Sequence, residues 1–547
     1  MFFAALVSES RAQLLDPVPQ RTERELPLWA VERTYRRSPN NLNWVHAFIR
    51  AQVLARTNLS SPVVARPLPN RTRAEFKFFT EAPNYPDSSP RVTAEKLLAD
   101  LEFLEVILAN VYSYADRRGE DWRGALDALR ASVGEGLPID TFALRLRRFF
   151  TLFGDPHTGV HAPHARDTPT GRAAFLTVPD GDRVLVLRGD RSGFLSDQER
   201  YLAAIDGLPV SEWLRVAGYD VPRASPQWTR TETVQLLNHI DYLRSGLGLP
   251  RTNRVSLTLT SSAGTPLVSV ALPVGTNEPA PAARSYGKTR LINGSIAYLR
   301  IEQMANQERF LDRLNEIMAR FRDSRGLVID VRGNAGGSQD VVKTLLPYFL
   351  DLDAPFKIIN VAAYRLPVKL PQPCSEGYLG LYGRGLYPVT SEAWSETERN
   401  QIRVFLQKFT PEWKLPPNLF SDWHVMGIRA DSNPKAYYYT NAVVVLCDAD
   451  CFSATDNFLG ALKGQPNVTL LGTASGGGSG RMTEYRLPNT HLPLTVCQMA
   501  SFRANGDLFD GRGVTPDVVV EPKPTDFIIG GGDSVLEAAL SRLKPAK

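Results

Sequence analysis

Ser453 stands where an apolar run ends and a helical period begins, in VVVLCDADCFSATDNFLGALKG from Val443 to Gly464. Val443 to Leu446 predicts a strand buried on both faces. Cys447 to Cys451 is a short turn carrying Asp448 and Asp450. Thr455, Phe458, Leu459 and Leu462 then recur at i, i+3, i+4 and i+7, which predicts one face of a helix. This puts Ser453 at or just inside the helix N-terminus, where free backbone N–H groups favour negative charge. An acyl-transfer nucleophile needs that setting, because its attack creates an oxyanion beside it. A serine here also serves as an ordinary N-cap. The stretch alone leaves both readings open.

Serine is a weak nucleophile until a base takes its proton. Among the seven histidines, only His157, in GDPHTGV (154–160), has a motif followed by small turn-forming residues rather than a helix face. Asp510, in FDGRGVTPDV (509–518), sits in a Gly-rich turn free of helix packing and could orient an imidazole. An Asp-Gly turn accounts for it equally well. Gly336 and Gly337 end RGNAGG (332–337), after the run GLVIDV that predicts a buried strand. Bare backbone there permits close approach, so one of their N–H groups and that of Ala454 could form an oxyanion hole. His157, His161 and His164 together hint at zinc. However, Gly159 and Pro163 oppose a helix that would align His157 with His161, and HExxH is absent from the sequence. The glycines at 476–478 are not a phosphate loop, since no Gly-Lys-Ser/Thr follows them.

The elements needed to hold these residues are legible in outline. Residues 1–90 form an N-terminal extension with helices expected at Trp29–Arg36 and Leu42–Arg56 and a Pro-rich linker from Pro67 to Pro90. Residues 91–165 are a helical unit that ends at the His157 motif. Its apolar stripes are Leu97, Leu98, Leu101, Leu104 and Leu108, then Leu126, Leu129 and Val133, then Phe142 to Phe153. Residues 166–285 read as mainly β, with strands at Arg183–Arg188, Val255–Leu259 and Leu267–Leu272, and with a strand, a turn at Asp206–Gly207 and a helix start over Arg200–Trp213. Residues 286–547 alternate strand and helix. Ser295–Ile301, a helix over Phe310–Phe321 and Gly326–Val331 imply a parallel pair with a crossover. Residues 351–438, rich in Pro, Tyr and Trp, break this alternation as an insertion. Leu470–Gly472 adds a strand, and Asp533–Leu543 closes the chain as a helix.

The chain has 547 residues, 43% of them hydrophobic and 22% charged, with a formal net charge of +5 spread along it. That describes a globular protein of several domains without a nucleic-acid footprint. No apolar run reaches the roughly 18 residues of a membrane span. The opening MFFAALVSESRAQ leaves export, to the periplasm or the medium, as one expectation and the cytoplasm as the other, because it lacks a basic n-region and its apolar core is short. Cys374, Cys447, Cys451 and Cys497 are too few for a disulfide scaffold and are expected as buried thiols, with one bridge if the chain is exported.

GDPHTGV, GLVIDVRGNAGG, DADCFSATDNFLGALKG and FDGRGVTPDV occur in the order found in the C-terminal-processing, or tail-specific, serine peptidases, which this sequence resembles from about Thr93 to Leu543. YLAAIDGLPV adds a degenerate match to that family's PDZ-like domain. The resemblance implies an α/β fold: a ClpP/crotonase-like core of ββα units with a helical N-terminal region and a PDZ-like β domain. One branch of the family uses a Ser–Lys dyad. Here Gly478 stands where the lysine would be. The other branch, that of tricorn protease and the chlamydial protease-like activity factor, uses a histidine, the serine and a late acid. His157, Ser453 and Asp510 occupy those places, with Asp510 in place of the usual Glu and Pro156 before the histidine. The resemblance implies a serine endopeptidase with a protein or peptide substrate and no cofactor. Asp155 and Glu484 are the reserve acids. A catalytically inactive relative that binds a peptide or apolar ligand on the same core is the alternative.

Overall fold

The computed structural model describes residues 89–117, 121–160, 171–265, 267–276, 282–351, 356–365 and 384–543. The helices expected at Trp29–Arg36 and Leu42–Arg56, most of the Pro67–Pro90 linker, His161, His164 and Cys374 lie outside these residues.

The centre is a six-stranded sheet in the order Arg290–Ile292, Ile296–Arg300, Gly326–Asp330, Val443–Cys447, Val468–Gly472 and Val518–Val519. The first pair is antiparallel and the rest are parallel. Every residue of Gly326–Asp330 and Val443–Cys447 is buried, as a parallel sheet covered on both faces requires. Side-chain alternation divides them. Val443 and Val445 face the main core together with Phe458 and Leu462 of the helix Ala454–Leu462. Val444 and Leu446 face Val535 and Ala539 of the helix Ser534–Arg542.

The helices Ala94–Asn110, Trp122–Ala131 and Ile139–Thr151 pack into the same main core. Leu98 is the exception to their expected stripe, at 38% exposure, while Leu97, Leu101, Leu104 and Leu108 are buried. After the third helix the chain enters Gly159–Val160, which pairs with Pro493–Cys497, itself paired with Met482–Arg486. That three-stranded sheet carries the His157 loop to the core. Within 351–438, Lys357–Tyr364 pairs with His424–Ile428 and with Met499–Phe502, so this stretch shares a sheet with the chain close to Asp510.

The third body is an antiparallel sheet of Phe175–Asp180, Arg183–Arg188, Tyr201–Ile205, Arg254–Thr260 and Leu267–Pro273 around its own core. The expected helix start is the helix Val210–Ala217, but the unit is less purely β than its sequence suggests, because Pro226–Gln235 and Ile240–Gly246 also form helices and the three cover the sheet. The second of the three has a readable start, Ser225 as N-cap and Pro226 in the first turn, but no clear apolar period. It also reaches the central domain: Ser225 Oγ donates to Gly476 O at 2.6 Å and Gln227 Nε2 to Ser475 O at 2.6 Å.

Candidate active site

Ser453 is not a helix cap. It stands at the N-cap position of Ala454–Leu462, yet its side chain makes no capping hydrogen bond. Its backbone is at φ 58°, ψ −117°, a conformation costing about 1–3 kcal/mol for a residue with a Cβ. Phe452 N donates to Asn334 O at 3.0 Å, which ties the turn to the RGNAGG loop. Buried Asn334 then holds three groups: its Oδ1 accepts from Gly336 N and Thr455 Oγ1, both at 2.9 Å, and its Nδ2 donates to Ile301 O at 3.0 Å. The two loops touch so closely that a Cβ on Gly336 would lie 2.7 Å from Ser453 Cβ. Only glycine fits there. The Gly337 and Ala454 N–H groups donate to no acceptor among the described residues, which leaves both available beside the serine.

His157 is buried, its ring stacked on Phe452 at 5.0 Å between centroids and 27° between planes. The residue before the serine thus seats the imidazole. Two buried carboxylates flank it: one atom each of Asp155, His157 and Asp510 lie within 4.8 Å of one another. Asp155 shapes the loop, with Oδ1 accepting from His157 N at 3.0 Å and Oδ2 from Thr158 Oγ1 at 2.7 Å. Its Oδ1 lies 3.7 Å from His157 Nδ1, too far for a hydrogen bond, and Nδ1 is buried without a partner. Asp510 is held by four donor groups: Tyr114 Oη at 2.6 Å and Ser479 Oγ at 3.5 Å on Oδ2, and Ser479 N and Gly480 N at 3.1 and 3.2 Å on Oδ1. Burial and then the charge of Asp155 push the Asp510 carboxyl above its usual range, against the pull of Tyr114. Asp155 is also buried, but its contacts with His157 and Thr158 outweigh that and hold it below the usual range.

Residues 295–520 match the model of peptidase family S41. The chain carries a peptidase family S41 domain. It is a serine-type peptidase, and its overall fold has solved counterparts. Mature CPAF is 18% identical with a TM-score of 0.53, over 79% of this chain and 94% of that one. CPAF in complex with lactacystin is 17% identical with a TM-score of 0.54, over 82% and 97%. At these identities the likeness is one of fold. The S41 match contains Ser453, Gly337, Ala454 and Asp510, whereas His157 is supplied by the helical unit before it.

Around Ser453 the glycine run is moulded to Phe452. A Cβ at Gly478, where the family resemblance leads one to expect a lysine, would fall 2.1 Å from the Phe452 ring. The run is pinned by Asp456, in the first turn of the serine helix, which accepts from Ser475 Oγ at 2.5 Å, Gly477 N at 3.1 Å and Gly478 N at 2.9 Å. Burial raises the Asp456 carboxyl to about 7 in spite of these donors. Glu484 lies exposed on Met482–Arg486, paired with Arg486 at 3.4 Å. Cys447, Cys451 and Cys497 are buried free thiols. Asp155, His157 and Asp510 are close enough to hold a metal ion, but the Asp510 oxygens are already engaged by Tyr114, Ser479 and Gly480, which a metal would have to displace.

Sequence reasoning missed Tyr114, Asn334, Phe452 and Asp456. Asn334 and Phe452 sit inside motifs whose neighbours were singled out. Tyr114 carries no signal, because it meets Asp510 across 396 residues of sequence.

Proposed function

We propose that the chain is an endopeptidase that cleaves protein or peptide substrates through an acyl-enzyme, with Ser453, His157 and Asp510 as its triad. The observation that carries this reading is the backbone of Ser453, held at positive φ without a capping bond, at a helix N-terminus beside two free N–H groups. Strain of that kind persists where the surroundings impose it, and it lifts a nucleophile out of a strand–helix turn.

Ser453 Oγ attacks the scissile carbonyl carbon while its proton passes to His157. The carbonyl electrons move onto oxygen, and the Gly337 and Ala454 N–H groups stabilise that oxyanion. Collapse expels the amine, which takes the proton from the imidazolium and leaves an ester on Ser453. Water, deprotonated by His157, then hydrolyses the ester. Asp510 orients the ring through its unpartnered Nδ1, either as the contact tightens with substrate bound or through one water. Asp155 fixes the loop and adds negative charge for the imidazolium.

A fluorophosphonate probe should label the wild type and not Ser453→Ala, and Ser453→Ala and His157→Ala should each lose peptide hydrolysis by several orders of magnitude. Near-wild-type hydrolysis by Ser453→Ala would defeat the reading. A folded wild-type protein that neither labels nor cleaves, yet retains peptides, would instead favour a ligand-binding role.

A further inference from the structure

The helix Pro226–Gln235 belongs to the antiparallel body, yet its first turn is fastened to three segments of the candidate site. Trp228 lies against Phe452, with ring centroids 5.9 Å apart and planes 30° apart. Phe452 is itself stacked on His157 at 5.0 Å and 27°. Ser225 is buried and gives its hydroxyl to Gly476 O at 2.6 Å. Gln227 Nε2 bridges the glycine run and the acid loop, donating to Ser475 O at 2.6 Å and to Arg512 O at 2.9 Å, two residues past Asp510.

These contacts do more than join two bodies. On this helix only Thr233 and Val234 are buried. Trp228 is half-buried and lays its ring against the residue before the serine. The glycine run is shaped to the junction of the two rings, since a Cβ at Gly476 would fall 2.9 Å from both Phe452 Cδ2 and Trp228 Cδ1. Gly476 N also donates to Cys451 O at 2.7 Å, so the run, the serine turn and Trp228 meet at one point. Without Trp228 the Phe452 ring loses its backing there, and the imidazole stacked on it moves with it. One aromatic contact is a small part of the stability of a fold, whereas a displacement of about 1 Å in a reacting group costs about a hundredfold in rate. Turnover is therefore the quantity that Trp228 controls most strongly.

We propose that Trp228 is a positioning residue for the general base: its ring backs Phe452, and Phe452 holds the His157 imidazole beside Ser453. Ser225 and Gln227 hold the glycine run and the acid loop in step with that stack. This rests on the peptidase reading above, because it takes His157 as the base. Trp228 acts through Phe452, so the antiparallel body supplies part of the site from outside the triad.

The test compares full-length Trp228→Ala, Trp228→Leu and Trp228→Phe on an internally quenched peptide, with folding checked by urea melts. Trp228→Ala and Trp228→Leu should lower kcat about ten- to a hundredfold with KM within about twofold of wild type. Fluorophosphonate labelling of Ser453 should slow by the same factor. Trp228→Phe keeps a flat ring against Phe452 and should stay within about threefold of wild type. Leucine restores apolar bulk without a flat face. No difference between the leucine and phenylalanine variants, or a wild-type kcat in folded Trp228→Ala, would overturn the proposal. Should Trp228→Ala fail to fold, the leucine and phenylalanine variants decide alone. A second readout needs no activity. In protein carrying isotope-labelled histidine, the His157 ring signal, identified by its loss in His157→Ala, should move in Trp228→Leu and return in Trp228→Phe. An unmoved signal would overturn the proposal even if kcat falls. If the wild type neither cleaves nor labels, the peptidase reading has failed by itself, and the histidine signal still decides whether Trp228 seats the ring.

Discussion

Replacing Tyr114 with Phe removes one buried hydroxyl, leaves the ring packing in place, and breaks the 2.6 Å hydrogen bond to Asp510 Oδ2. A hydrogen bond to a buried charged group contributes about 1.5–3 kcal/mol. It is stronger to the ionised carboxylate than to the acid, and a tenfold change in the acid equilibrium corresponds to about 1.4 kcal/mol. Asp510 already lies above the usual carboxylate range through burial and the charge of Asp155, so losing Tyr114 drives it higher. If ionised Asp510 is what orients His157, the acidic limb of kcat/KM should move up by about one to two pH units, with a smaller loss on the alkaline plateau. Stability follows with a defined sign. Asp510 ionises near pH 3.9 in the unfolded chain and later in the folded one. Its ionisation therefore destabilises the fold progressively above pH 3.9, and the penalty is complete above the folded value. Tyr114→Phe should deepen this penalty by about 1.5–3 kcal/mol at pH 9 and cost less in urea unfolding near pH 4, where the bond goes to the weaker acid acceptor. The weaker approach of Tyr114 Oη to Met499 O, at 3.4 Å, adds only a pH-independent part. The assays are a pH profile on an internally quenched peptide and urea melts at the two pH values. An unmoved acidic limb, or an equal stability loss at both pH values, would show that Tyr114 packs the core without setting the acid.

Ser453→Gly should unfold at a higher urea concentration than Ser453→Ala, by about 1 kcal/mol in stability, because glycine accepts positive φ without the 1–3 kcal/mol penalty; equal midpoints would mean the turn is unstrained. Gly478→Lys should restore no Ser–Lys chemistry and should destabilise the protein by about 1–3 kcal/mol, since its Cβ meets the Phe452 ring at 2.1 Å; an active, equally stable variant would contradict the crowding. Asn334→Ala strips partners from Gly336 N, Thr455 Oγ1 and Ile301 O, so about 3 kcal/mol of stability and most of kcat should go together, measured by urea melts and single-turnover hydrolysis. Loss of either one without the other would separate the clamp from the oxyanion site.

What could be read in the sequence is what repeats locally. The change from four apolar residues to an i, i+3, i+4, i+7 pattern located the strand Val443–Cys447 and the helix Ala454–Leu462 almost to the residue, because both faces of a parallel strand and one face of its helix must be apolar. Leu98 fitted its stripe by spacing but faces outward, since spacing does not say where a neighbouring element stops. The helix Pro226–Gln235 was hidden because only Thr233 and Val234 are buried on it, too few to set a period. Tyr114 was invisible for a different reason: its one decisive contact is made across the whole fold and leaves no pattern near residue 114.

The deepest trace of the site in the sequence is the glycines, which record crowding more than turns. Gly336 is bare because Ser453 Cβ would otherwise be 2.7 Å away, and Gly478 because the Phe452 ring fills the space its side chain would need. Both runs therefore pack against the Phe452–Ser453 corner from opposite loops. Packing from two sides can impose a positive φ on a non-glycine residue that has no capping bond of its own. The same packing holds Phe452 under the His157 ring and runs on through Ser479 and Gly480 to the Asp510 carboxylate. Position 478 thus cannot supply a lysine base in this chain, because the space is taken by the residue that seats the histidine. One aromatic side chain at 452 both fills the space a side chain at 478 would need and stacks against the His157 ring.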